Sequence, residues 1–350
     1  MKIIHCADIH LGSRMNRLPK DKAEERAREL RTSFERLISY ARKEGIYTIL
    51  LAGDVFDSDR PFKKDKEFFY SAVRRNSDIT FFYLRGNHDG KESYTEEIEN
   101  LKTFGREWTS YTIGWNIVLS GIEIDKSNCL SLYSSLNLDG GNHNIVMLHG
   151  EAGDSAGENK INLNKLKNKN IDYLALGHIH CQGEKKIDER GTSVYSGCLE
   201  GRGFDECGVK GFMVYDTDEK QVRFVPFACR TIEERSIDIS EAHSAYDVVY
   251  KIKNEIKIDK SNLLRLNLVG EIDFVDENLA KDVEKYISDL CWFVSVADKT
   301  GLKIDYSAFE DSLSLKGEFV RLVKSEVEDE GERQKILEKG IRALSGQVDL

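Results

Sequence analysis

No stretch of this 350-residue chain approaches the roughly 20 apolar residues that a membrane-spanning helix needs. Its start, MKIIHCAD, lacks the basic, apolar and small-residue segments of a secretory signal and reads instead as a strand. The seven cysteines are odd in number and scattered. No C-x-x-C pair exists, which argues against a thiolate zinc site and against a disulfide framework. Prolines number three, and there are no repeats or low-complexity tracts. Together these absences predict a soluble protein of a reducing, cytoplasmic compartment, with no membrane partner.

What is present is a length sufficient for one large domain and a smaller one, with 40% hydrophobic and 32% charged residues. The net charge of −10 argues against a polyanionic partner, but it is unevenly placed. Residues 231–350 carry 17 basic and 26 acidic side chains, whereas residues 1–230 are nearly neutral, with 34 and 35. Between Leu11 and Lys43, ten basic residues face five acidic ones, including Arg14, Arg17, Lys20 and Lys22. Such a stripe is either a solvated helix face or a phosphate contact.

The first 230 residues alternate short apolar runs with amphipathic stretches. Lys2–Cys6, Tyr47–Ala52, Thr80–Leu84, Asn144–Leu148 and Asp172–Leu176 read as buried strands, and polar residues follow each at its carboxyl end. Asp21–Glu44 has Leu30, Phe34, Leu37, Ile38 and Ala41 at helical spacing. Ser193–Ser196, Gly211–Asp216 and Val222–Phe227 are further strands, and Arg230–Ile239 reads as a connection. Beyond it a helix (Ala242–Ile256), a strand (Leu263–Val269), a helix (Val275–Leu290) and a strand (Trp292–Ala297) predict a small α/β domain. The tail from Asp311 to Leu344 reads as one or two amphipathic helices. The expected domains are therefore 1–230, 231–310 and 311–350.

Five segments carry chemistry. In Asp8-Ile9-His10, residues i and i+2 at a strand end face one side and can reach one metal ion. In Gly53-Asp54-Val55-Phe56-Asp57 the glycine permits a tight turn and Asp54 can offer an oxygen to each of two ions. Asp57 is expected to support the turn by accepting backbone hydrogen bonds. In Gly86-Asn87-His88-Asp89, Asn87 supplies a neutral carbonyl ligand, His88 faces the substrate, and Asp89 supports the site by orienting an imidazole. His149-Gly150 and Gly177-His178-Ile179-His180 complete the set. Each segment alone has an ordinary structural explanation. Five of the eight histidines fall in them, each after an apolar strand, and that combination is specific. His5, His143 and His243 read as structural or surface residues.

The order D-x-H, G-D-x-x-D, G-N-H-D, H, G-H-x-H resembles the calcineurin-like metallophosphoesterase superfamily over about residues 1–230. Within it the chain looks like the double-strand-break repair nucleases of the Mre11/SbcD type, especially the bacterial YhaO-like branch. The residues carrying this are His5–Gly12, Gly53–Asp57 with Arg60-Pro61, and Leu176–His180. Ser58-Asp59 and Asp89 depart from the Arg-Gly and Glu of protein phosphatases. The resemblance implies an α/β fold, a four-layer αββα sandwich with a small C-terminal α/β capping domain. It gives one metal to Asp8, His10, Asp54 and His180, and a second to Asp54, Asn87, His149 and His178, with Asp54 bridging. Two such ions activate a water for in-line attack on phosphorus and clamp the phosphate oxygens. His88 would then serve the departing 3′-oxygen as the catalytic residue. The mixed N/O donors suit Mn²⁺, with Fe or Zn as alternatives.

The same resemblance implies a 3′→5′ exonuclease acting at DNA ends with an SMC-like (Rad50/SbcC-type) ATPase. It also implies a homodimer built from helices around Lys64–Arg75 and Tyr94–Trp108. Ser314–Arg321 looks like the C-terminal region of the YhaO-like group. The glycine-dense Ser196–Gly203 segment is either a nucleotide contact or a plain loop, and Tyr195-Ser196-Gly197 departs from the family's Pro-Gly-Ser. Two other readings stay open, an enzyme for small phosphodiesters or phosphomonoesters and a non-catalytic docking scaffold. The presence of His88 disfavours the scaffold.

Overall fold

The computed structural model describes residues 1–90, 93–94, 96–274, 276–303, 309 and 312–344. The chain divides into two units, Met1–Glu233 and Glu234–Leu350. The first is an α/β sandwich of two six-stranded sheets. One sheet runs Gln221–Pro226, Gly211–Asp216, Lys2–Cys6, Thr48–Ala52, Thr80–Leu84, Leu101–Thr103. The other runs Gly183–Lys186, Thr192–Tyr195, Tyr173–Gly177, His143–His149, Ile117–Gly121, Thr109–Gly114. The central strands of each sheet are parallel and covered on both faces, which is why they read as unbroken apolar runs rather than alternating ones.

Between the sheets lies a buried core that takes Ile3, Leu50, Ala52, Phe82 and Leu84 from one side and Leu119, Ile145, Met147, Tyr173 and Ala175 from the other. The outer face of the first sheet is covered by the helices Lys20–Lys43 and Lys63–Arg75. Phe34 of the former meets Phe69 of the latter and Phe81 of the sheet, with ring centroids 5.7 and 6.4 Å away. The outer face of the second sheet is covered more thinly. There the one-turn helix Leu132–Ser135 and the 3₁₀ turn Leu163–Leu166 pack on Val146, Leu148, Leu174 and Leu176. The layers are thus αββα, with the fourth layer reduced to single turns.

In the second unit, a three-stranded sheet (Ile232–Asp238, Leu263–Val269, Phe293–Asp298) carries the helices Ala245–Glu255 and Leu279–Ile287 over a core that includes Ile237, Leu264, Leu266, Val283 and Val294. The helices Leu315–Glu326 and Glu330–Leu344 pair through Val320, Val323, Leu337 and Ile341. Three expectations need correction or limitation. Ile232–Asp238 is an edge strand and not a connection, because its charged residues Glu233, Glu234 and Arg235 mask the two buried isoleucines at its ends. Within Tyr94–Trp108 the regular element is the strand Leu101–Thr103, so the described part of that stretch holds no helix for a dimer contact. Val275 and Asp311, expected as helix starts, lie outside the described residues.

Candidate metal centre

Both sheets end their parallel strands at the same edge, and ligands bind at that edge in α/β folds. From the first sheet, the segments after Lys2–Cys6, Thr48–Ala52 and Thr80–Leu84 deliver Asp8 and His10, Asp54, and Asn87 and His88. From the second, His149 ends its strand while His178 and His180 follow Gly177. The first two loops are zipped together by backbone bonds from Asp8 N to Gly53 O (3.0 Å), His10 N to Asp54 O (3.0 Å) and Leu11 N to Val55 O (2.8 Å). Asp8, His10, Asp54 and His178 all hold positive φ angles, of 52°, 51°, 53° and 95°. For side-chain-bearing residues this conformation costs on the order of 1–3 kcal/mol each, and it persists because the surrounding bonds dictate it. Gly86 is needed for space. A Cβ there would sit 2.2 Å from Asp54 Oδ1.

The donors converge as three groups, Asp8 with His10 and His180, Asp54 with His149 and His178, and His10 with Asp57 and His88. His10 Nε2 and His180 Nε2 face each other at 3.2 Å. Asn87 Oδ1 lies 3.0 Å from His149 Nε2 and 2.9 Å from His178 Nδ1. Asp54 Oδ2 lies between the first two groups, 3.3 Å from His149 Nε2 and 3.9 Å from His10 Nε2. The structure therefore brings all seven expected ligands together. It also sets His88 beside them, exposed, with its ring 5.0 Å from that of His10 and its backbone N–H donating to Asp54 Oδ1 at 2.8 Å.

Hydrogen bonding on the far side of the rings decides which way their lone pairs point. His149 Nδ1 faces the Ala52 carbonyl oxygen at 2.9 Å, so it must donate, which leaves an Nε2 lone pair aimed at Asn87 and Asp54. His180 Nδ1 donates to Glu206 Oε1 at 2.8 Å, and its Nε2 is then a lone pair as well. His10 Nδ1 lies 3.1 Å from Asp57 Oδ1. In their neutral forms the rings thus turn lone pairs toward the carboxylates, an arrangement that a cation relieves by taking the place of the proton that Asp54 and Asp8 favour on His149.

The charges agree. Burial, reinforced by Asp54, pushes Asp8 up to about 6, against the pull of His149 and His180. Burial likewise holds His10 down to about 4. Burial also opposes charge on Asp54, but the His149 ring beside it holds its carboxyl below the ordinary range. Conversely, burial disfavours a charged His149, yet Asp54 and Asp8 push it up to about 9. Buried carboxylates and imidazoles thus compete for too little positive charge, and a divalent cation would supply it. The donor set fits two hard-to-borderline divalent ions.

Two supporting roles differ from expectation. The Asp57 carboxylate meets side chains, His10 Nδ1 and Arg202 Nη1 (2.5 Å), and not backbone amides. Among the described residues Asp89 meets no imidazole. It accepts from the backbone N–H groups of Phe56 (2.9 Å), Gly86 (3.0 Å) and Val55 (3.2 Å), and so ties the second loop to the third. Burial, with Asp54 adding to it, pushes Asp89 up to about 7.

Sequence reasoning missed Arg202 and Glu206. Burial disfavours charge on Glu206, but His180 and Arg202 hold its carboxyl far below the usual range. It accepts from His180 and, at 2.7 Å, from Arg202 Nη2. Lys210 Nζ donates to the His180 carbonyl at 2.8 Å from the same segment. The one signal was glycine density around Arg202, which the sequence left open between a loop and a nucleotide contact. The other histidines are structural. His5 is buried between Tyr173 OH (2.8 Å) and Leu176 O (3.2 Å), His143 stacks on Tyr215, and His243 pairs with Asp273.

Residues 1–182, which hold every one of these donors, match the calcineurin-like phosphoesterase family. The chain belongs to that family. It is a metal-dependent phosphoesterase, and the family works with two divalent ions. This phosphoesterase is 24% identical to the DNA double-strand break repair protein Mre11 of Sulfolobus acidocaldarius, over 100% of both chains. It is 26% identical to the uncharacterized metallophosphoesterase YhaO of Bacillus subtilis, over 69% of this chain and 64% of that one. The SbcD component of the nuclease SbcCD of Staphylococcus epidermidis is 25% identical, over 73% of this phosphoesterase and 76% of the relative. Among its described residues, no helix is long and apolar enough to cross a membrane.

Proposed function

We propose that the chain is a DNA-repair exonuclease that removes nucleotides 3′→5′ from DNA ends with two divalent ions, Mn²⁺ by preference. The observation that carries the reading is the convergence of Asp8, His10 and His180 beside Asp54, His149 and His178, with Asp54 Oδ2 3.9 Å from His10 Nε2 and Asn87 Oδ1 3.0 Å from His149 Nε2. Asp8, His10, Asp54 and His180 would hold one ion, and Asp54, Asn87, His149 and His178 the other. When bound, such a pair activates the attacking water and clamps the oxygens of the phosphate. Ala52 and Glu206 fix the tautomers of His149 and His180, so both rings are presented as lone-pair donors. Asp89 keeps Gly86 and Phe56 in register, which sets where Asn87 and His88 stand. His88, exposed at the mouth, delivers a proton to the departing 3′-oxygen.

The relatives named Mre11 and SbcD support DNA as the substrate. On the same basis we infer an SMC-like ATPase partner, a homodimer, a cytoplasmic location and a DNA-recognition role for the second unit. The acidic net charge of −10 favours a second reading, a small phosphodiester substrate.

One comparison tests both readings. Mn²⁺-loaded protein is given 3′-labelled linear DNA in one arm and cyclic nucleotides in the other. Shortening of the DNA that His88→Ala abolishes, while that variant still binds Mn²⁺, is the expected result. Turnover of cyclic nucleotides with none of DNA would move the second reading ahead. Undiminished activity in His88→Ala would remove the proposed role of His88.

A further inference from the structure

We propose that a cationic cleft next to the metal-ligand cluster is a subsite for single-stranded phosphodiester chain, where phosphates flanking the scissile one are held and a base stacks on Phe62. The proposal rests on the phosphodiesterase reading above and narrows it to substrates longer than one nucleotide.

Two adjoining cavities of about 530 and 510 Å³ share Gly12, Ser13, Arg14, Asn16 and Phe62. The larger has Asp57, Arg202 and Glu206 in its lining, the residues that touch His10 and His180. The cleft thus abuts the residues that support the ligand cluster. Its lining cations outnumber its carboxylates, seven to four. Arg17 pairs with Asp205 at 3.4 Å, Arg31 with Asp65 at 2.6 Å, and Arg202 with Asp57 and Glu206. Arg14, Lys20, Arg60 and Lys64 line the cavities with no carboxylate partner among the described residues, against one unpaired lining carboxylate, Glu24. These cations come from the segment after the first strand and the segment after the second. The cluster is therefore built by the fold and not by one helix face.

Phe62 gives the cleft a second character. The ring is 48% exposed in a unit whose aromatic side chains are mostly buried. The Arg14 guanidinium carbon and Lys64 Nζ each stand 5.7 Å from its centroid. An exposed aromatic face flanked by cations suits a base with its backbone phosphates, since every base has a π-face and every linkage a charge. The cleft also answers the objection from the acidic composition, because the local field and not the net charge meets the substrate.

The test uses the full chain and a fluorescein-labelled thymidine hexanucleotide, with anisotropy read in EDTA so that metal loading plays no part. Arg14→Ala and Arg60→Ala should each weaken binding several-fold and lower the slope of log K against log salt by about 0.7. Phe62→Ala should weaken binding about tenfold with the salt slope retained. With Mn²⁺, all three should lower kcat/KM for the hexanucleotide about tenfold relative to that for bis(p-nitrophenyl) phosphate, which is too short to span the cleft. Unaltered hexanucleotide affinity in the variants, equal loss on both substrates, or competition by thymidine monophosphate as strong as by the hexamer would each overturn the subsite. A parent protein that binds the hexamer through these residues but hydrolyses neither substrate would keep the cleft and remove the phosphodiesterase reading instead.

Discussion

Replacing Glu206 with Gln should weaken one metal site and spare the other. Glu206 is buried, and its Oε1 accepts from His180 Nδ1 at 2.8 Å while its Oε2 accepts from the Arg202 backbone N–H at 2.8 Å. Glutamine keeps the shape but loses the charge, and its NH₂ group must face either the imidazole N–H or the Arg202 donors. The His180 ring then loses the carboxylate partner that fixes its tautomer. Loss of such a supporting partner costs about 10–100-fold in metal affinity, or roughly 1.4–2.7 kcal/mol at 1.36 kcal/mol per tenfold. The Asp54, His149 and His178 group has its own support from Ala52 O and is not touched by Glu206. Titration of the metal-free protein with Mn²⁺, with free ion followed by electron paramagnetic resonance, should therefore resolve two classes in the variant. One class weakens by one to two orders of magnitude and the other keeps its parental affinity. Equal weakening of both, or of neither, would refute the division of the donors and the role of Glu206.

Arg26 is fully buried and joins Glu200 (2.9 Å), Glu29 and the Gly201 carbonyl (2.6 Å). Arg26→Met leaves the buried Glu200 without its cation, while Glu29 keeps Arg230, and should lower stability by about 3–5 kcal/mol in urea titration. His5, which donates to Leu176 O and accepts from Tyr173 OH, is neutral in the fold, and burial pushes it down to about 3. Its contribution to stability is complete above the unfolded value of about 6.5 and is lost as pH falls toward 3, at up to about 1.36 kcal/mol per pH unit. In metal-free protein His5→Leu should flatten that acid slope, and an unchanged slope would mean that other groups set it.

The ligand segments were legible because each combines a buried parallel strand, whose apolar run is unmistakable, with polar residues just past its end. Short spacing does the rest, as in Asp8 and His10. What could not be read was anything that depends on where distant loops meet. Arg202 and Glu206 lie more than twenty residues beyond His180, on a glycine-dense stretch with no periodicity. Asp57 and Asp89 were recognised as supporting residues, but their partners are fixed by the tertiary path of the loops. Ile232–Asp238 escaped because an edge strand tolerates the charges that a central strand cannot. The short strand within Tyr94–Trp108 escaped because three residues carry too little pattern to compete with an expected helix.

The two sheets divide the donor set between them, with Asp8, His10, Asp54 and Asn87 on one and His149, His178 and His180 on the other. On the ligand assignment proposed above, neither half can chelate both ions alone, because each ion draws on both sheets. Metal capture then becomes a proofreading step in the protein's biogenesis. A partly folded chain whose two sheets have not docked lacks the full ligand set of either ion, and so lacks the phosphoesterase site. The same division makes the ions a clasp between the layers.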